Sequence, residues 1–264
     1  MVPIAPLRMT SAESGRDSPA RFIALTIALT LPFWILAAID DRQLLPALPL
    51  SALAALCPVA AACVLRARHG GRAGVAALLR RVVPERAPGV ARAFLSATFL
   101  MPLIMLASFV VQRSAGVAMP VPHVAAGRTS VLIVVFLIAA ITEELGWMGY
   151  AIDPLQDRYG ALRASIILGI VWAAWHVIPL HQAGRTVAFI GWWSLETVAL
   201  RVLMVWLYNR AGRSVPTSII LHMMVNLTWM LFPVDGSLYD PKVTGVITAL
   251  VAVVAIARDA RRMS

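Results

Sequence analysis

Read from the amino end, the chain alternates between long apolar runs and short polar breaks. Eight apolar stretches stand out, at approximately 22–39, 44–65, 93–111, 130–152, 161–180, 188–208, 215–232 and 243–257. A helix needs about 20 mainly apolar residues to cross a bilayer. Each run approaches that length, the last two being the shortest. None shows the apolar–polar alternation of a membrane barrel strand. Without water, a continuous apolar run satisfies its own backbone as a helix. The pattern therefore predicts an all-α fold, a polytopic membrane helical bundle of about eight transmembrane helices. Residues 1–21, rich in Ser, Pro and Arg, read as a disordered cytosolic tail, 22–257 as the membrane domain and 258–264 as a cytosolic C-terminus. The run FIALTIALTLPFWILAAI is long for a signal-peptide core and reads as a retained first span.

Composition agrees with this reading. The chain is 60% hydrophobic and 14% charged, against about 45–50% and about 25% for an average soluble chain. A net charge of +10 invites a nucleic-acid reading, but the arginines lie between apolar runs and build no single basic face. No nucleic acid is expected, and the partners are membrane lipid and a peptide or protein substrate. The arginines instead set orientation. With the loop holding Arg66, Arg68, Arg72, Arg80, Arg81, Arg86 and Arg92 in the cytosol, inside segments carry 17 basic residues and outside segments 5. Both termini then face the cytosol. Within that loop GVAALLRRVV is amphipathic and is expected on the membrane surface. Cys57 and Cys63 fall on different helix faces and read as small apolar residues, not a disulfide.

Polar residues inside the spans carry the chemistry. The fourth span ends in Glu143 and Glu144. The fifth holds Trp172 and His176, the seventh His222 and Asn226. The last two pairs are four apart, so each shares a helix face. An ionised group in hydrocarbon costs roughly 2.5–3.5 kcal/mol even on the mildest scale, so the adjacent glutamates need partners or a function. At 1.5 Å per residue Glu143 lies about 20 Å into its span and His222 roughly 10 Å from the opposite surface. The depths overlap, and one cluster is geometrically allowed. A screened carboxylate can take a proton from water, while an imidazole and a carboxamide can stabilise an oxyanion. Glu143, His176 and His222 could instead ligate zinc, although no HExxH motif is present. Both a metal-free and a zinc-assisted site stay open. Further readings remain. A glutamate could be a structural partner for Arg201, His176 and His222 could ligate a haem, or Glu143 could relay protons. His69 and His123 read as loop residues, His181 as a membrane-interface residue.

Three stretches, EELGWMGYAIDPLQ, IVWAAWHVIPL and SIILHMMVN, resemble the three motifs of the CPBP intramembrane proteases. That family includes the type II CAAX prenyl endopeptidase and bacterial Abi-type proteins. The resemblance spans 143–226. It implies an eight-helix membrane fold and an intramembrane endopeptidase acting near the cytosolic membrane face. It assigns Glu143 as the base for water, Glu144 as its neighbour, His176 to the second motif, and His222 with Asn226 to the oxyanion site. Peptide maturation or bacteriocin self-immunity is the role it suggests, in a bacterial inner membrane. The high Arg and Ala content with a single Lys fits a bacterial source. One position departs: Met148 stands where the first motif carries Arg. Met cannot pair with a carboxylate, so either Arg201 substitutes, or the site is weakened, or the chain is a non-catalytic member of the fold.

Overall fold

The computed structural model describes residues 18–40, 42–45, 48–84, 89–122 and 124–263. Residues 1–17 of the expected tail, Arg86 and His123 lie outside them. Nine helices follow one another among the described residues. They are α1 (Pro19–Ile39), α2 (Cys57–Arg80), α3 (Val90–Ser114), α4 (Ala126–Gly146), α5 (Ile152–Tyr159), α6 (Ala161–Gln182), α7 (Val187–Arg210), α8 (Val215–Met230) and α9 (Pro241–Met263). Seven spans are long and apolar enough to cross a membrane, while α8, at 16 residues, is a shorter apolar helix. The polytopic helical bundle expected from the apolar runs is thus the architecture observed.

The differences lie at the ends of elements. Helix α1 begins at Pro19, inside the expected tail, because Ser18 caps it by accepting from Arg21 N–H at 3.3 Å and proline suits the first turn. The second run is not helical from 44. Gln43–Leu45 and Leu48–Pro49 form a short antiparallel pair, β1 and β2, and a 3-10 helix over Leu50–Leu56 leads into α2. Helix α2 then continues through the expected loop to Arg80, so His69 is an exposed helical residue. Gly71, at φ +57°, is the break that lets it turn. At the other terminus α9 extends through most of the expected tail, to Met263.

Apolar residues cover the outside of the bundle as well as its interior. On α3 the large residues Leu95, Phe99, Leu103, Leu106 and Val110 point outward at spacings of three and four, while Ala93, Ala97, Met101, Ile104 and Ser108 face inward. A continuous exposed apolar stripe of this kind marks a lipid-facing surface. Helix α7 packs along α6 and α9, and α8 lies against α3 and α4. Four helices, α4, α6, α7 and α8, thereby surround one interior region. Cys57 and Cys63 are free.

Ion pairs tie helix ends together at each end of the bundle. Arg81 and Arg213 meet Asp153 at 3.0 and 3.4 Å, and Arg210 meets Asp259 at 2.5 Å. At the opposite end Arg128 pairs with Asp235.

Candidate active site

Helix α4 does not stop after the two glutamates. It widens into a π turn over Trp147–Ala151, in which Ile152 N–H bonds to the Trp147 carbonyl, and then resumes as α5. The whole rod, Ala126–Tyr159, has 34 residues, about 50 Å at α-helical rise. Glu143 and Glu144 therefore sit near its middle. Single π turns inside helices concentrate at functional sites. Close helix approach is built in at the same point. A Cβ on Gly146 would lie 2.5 Å from the Pro58 Cβ of α2, so no larger residue fits between the two helices there.

The two carboxylates have different partners. Glu144 is fully buried and receives a two-pronged contact from Arg201 on α7, Nη1 to Oε2 at 2.6 Å and Nη2 to Oε1 at 3.1 Å. His222 on α8 donates Nδ1–H to the same Oε1 at 2.9 Å. The Arg201 guanidinium, itself inaccessible, lies 4.1 Å over the Trp172 ring. A paired and doubly hydrogen-bonded charge can exist in this interior where a lone one could not. Arg201 thus gives Glu144 a guanidinium partner that Met148 cannot supply. Gly169 makes room for it, since a Cβ there would be 3.2 Å from the Arg201 Cβ and 3.0 Å from the Val198 Cα.

Glu143, 5% exposed, has one neutral donor, Trp172 Nε1–H to Oε2 at 3.0 Å. Oε1 accepts no hydrogen bond among the described residues. Trp172 also packs edge-on against His176 and His222, with ring centroids 5.6 and 5.1 Å away. The His176 Nδ1 lies 2.9 Å from the Trp172 carbonyl. A carbonyl only accepts, so Nδ1 carries the proton and Nε2 presents a lone pair. Trp175 and Trp193 complete an aromatic box around that imidazole, at 4.8 and 5.0 Å.

Four of the five expected residues, Glu143, Glu144, His176 and His222, are thus joined by direct contacts or through Trp172. Asn226 lies one turn beyond His222, half-buried, and makes no side-chain hydrogen bond among the described residues. His181 is exposed, near the C-terminal end of α6. Sequence reasoning singles out Trp172 but gives it no part in the site. The available signal is its place one turn before His176 together with an N–H that phenylalanine lacks. Nothing in the sequence marks Trp193, which reaches the site from α7. Among the described residues no three His, Cys, Asp or Glu side chains converge as ligands for one metal ion.

A buried Glu–Arg–His centre within a polytopic helical bundle is the class of protein defined so far. Residues 125–228, which contain all five residues, match the family model described as Type II CAAX prenyl endopeptidase Rce1-like. A curated relative, CAAX prenyl protease 2 of Methanococcus maripaludis, is 33% identical over 129 residues, covering 45% of this chain and 46% of the relative. The chain thus spans about half the length of the curated relative it matches. The likeness to the CPBP intramembrane proteases carried by the three motifs is borne out over this segment.

Proposed function

We propose that this protein is an intramembrane endopeptidase in which Glu143 activates water. The observation that carries the reading is the division of labour between adjacent carboxylates. Glu144 is neutralised by Arg201 and holds His222, whereas Glu143 keeps an oxygen unclaimed by any described side chain. Glu143 takes a proton from a water as its oxygen bonds to the scissile carbonyl carbon. The Nε2 lone pair of His176 orients that water. His222, held by Glu144, and the Asn226 amide donate to the oxyanion. Glu143 then returns the proton to the leaving nitrogen as the C–N bond breaks.

Substrates are peptide bonds near the cytosolic membrane face, in peptide maturation or bacteriocin self-immunity. The protein resides in a bacterial inner membrane with both termini in the cytosol. The non-catalytic reading rested on Met148, and it loses that support with Arg201 in place. Trp172 packed against both imidazoles gives the haem reading no supporting observation. A peptidase assay in detergent tests the proposal. Wild type should cleave, and Glu143→Ala, His176→Ala and His222→Ala should each abolish cleavage with expression retained. Zinc bound one-to-one, with chelation abolishing and zinc restoring activity, would replace the metal-free chemistry.

A further inference from the structure

The π turn after the two glutamates is held from outside its own helix. Arg81, just past the end of α2, donates Nη1–H to the Gly149 carbonyl within the turn at 2.7 Å. Its Nη2 donates to Asp153 Oδ2 on α5 at 3.0 Å and to the Tyr208 hydroxyl on α7 at 2.5 Å. Tyr208 in turn donates to Asp153 Oδ1 at 2.8 Å. Leu78, 1% exposed, seats the same segment on the turn, since a Cβ on Gly149 would lie 3.3 Å from its Cδ1. Arg66, further back on α2, covers the Tyr150 ring at 5.3 Å. Three residues of α2 and its end therefore grip Gly149 and Tyr150, five to seven positions beyond Glu143 and Glu144.

We propose that Arg81 is a positioning residue for the glutamate pair: by bonding at once to Gly149, Asp153 and Tyr208, it fixes the π turn whose phase sets the direction of both carboxylates. A wide turn has a narrower α-helical alternative. Relaxing one into the other rotates α4 relative to α5. Glu143 meets Trp172 on α6 and Glu144 meets Arg201 on α7, so the share of that rotation taken up by α4 turns both carboxylates away from these partners. Arginine suits the post because a planar fork reaches acceptors in several directions, whereas a lysine ammonium is one compact charge.

The activity arm of the test rests on the protease reading, and a second arm does not. In the full-length protein in detergent, Arg81→Lys should lower kcat roughly 10- to 100-fold, the cost of a small misplacement of catalytic groups, with KM nearly unchanged. Amide hydrogen exchange over residues 145–152 should accelerate, while α6 and α8 exchange as in wild type. Arg80→Lys, at an exposed neighbour, should change neither quantity. Unchanged kcat and unchanged exchange in Arg81→Lys would overturn the proposal. So would exchange accelerated throughout the bundle, which would mark a purely structural role. If the wild type cleaves no peptide, the protease reading fails and the exchange arm decides alone. Local acceleration at 145–152 then supports the clamp, and its absence removes it.

Discussion

Arg201 and Glu144 are both sealed from solvent and meet through two hydrogen bonds. Breaking a buried pair from one side strands a charge and costs about 3–5 kcal/mol. Arg201→Met should therefore lower the melting temperature in detergent and abolish cleavage. Because Arg201 already fills the role, Met148→Arg in the wild type should not raise activity. A gain from Met148→Arg alone would show that Glu144 lacks a sufficient partner. Trp172→Phe isolates a different contact. It keeps an aromatic ring beside both histidines and removes the N–H that holds Glu143. A hydrogen bond to a charged group is worth about 1.5–3 kcal/mol, so cleavage should fall roughly tenfold or more while the melting temperature drops less than in Arg201→Met. Equal activity would mean that the bond does not orient the base.

At the level of elements, the site depends on how closely α4 approaches α2 and α6 approaches α7. Gly146 sits where a Cβ would strike Pro58, and Gly127, on the same helix, has open space around it. Gly146→Ala should cost about 1–3 kcal/mol, as overpacking does, and should impair cleavage by displacing the adjacent glutamates. Gly127→Ala should be close to neutral in both thermal melting and activity. The π turn belongs at this scale too. In sequence, Met148 follows Glu144 by four, a spacing that predicts a place on its face. That register assumes α-helical phase, and the turn that begins at Trp147 departs from it. Residue spacing indicates helix direction only while the helix type is known, and nothing in GWMGY distinguishes an i→i+5 turn from an i→i+4 one.

Across the whole molecule, the ion pairs join helix ends consistently with an alternating path. Arg81, Asp153 and Arg213 meet at one end, Arg128 and Asp235 at the other. Reporter fusions placed within 66–92 and after Arg258 should both report cytosol. A periplasmic signal from the 66–92 insertion would invert every later span. The apolar runs alone determined that the long elements are membrane-length helices, because hydrocarbon leaves a backbone few ways to satisfy itself. The expense of burying charge made Glu143, Glu144, His176 and His222 conspicuous before any contact was known. Which carboxylate is locked and which is open was decided only by tertiary structure. Arg201, His222 and Trp172 come from three different helices, and their distances to Glu143 and Glu144 depend on helix rotation and close approach at Gly146 and Gly169. Apolar periodicity limits those quantities but does not specify them, since lipid-facing and core-facing residues are equally apolar and the packing of side chains chooses between them.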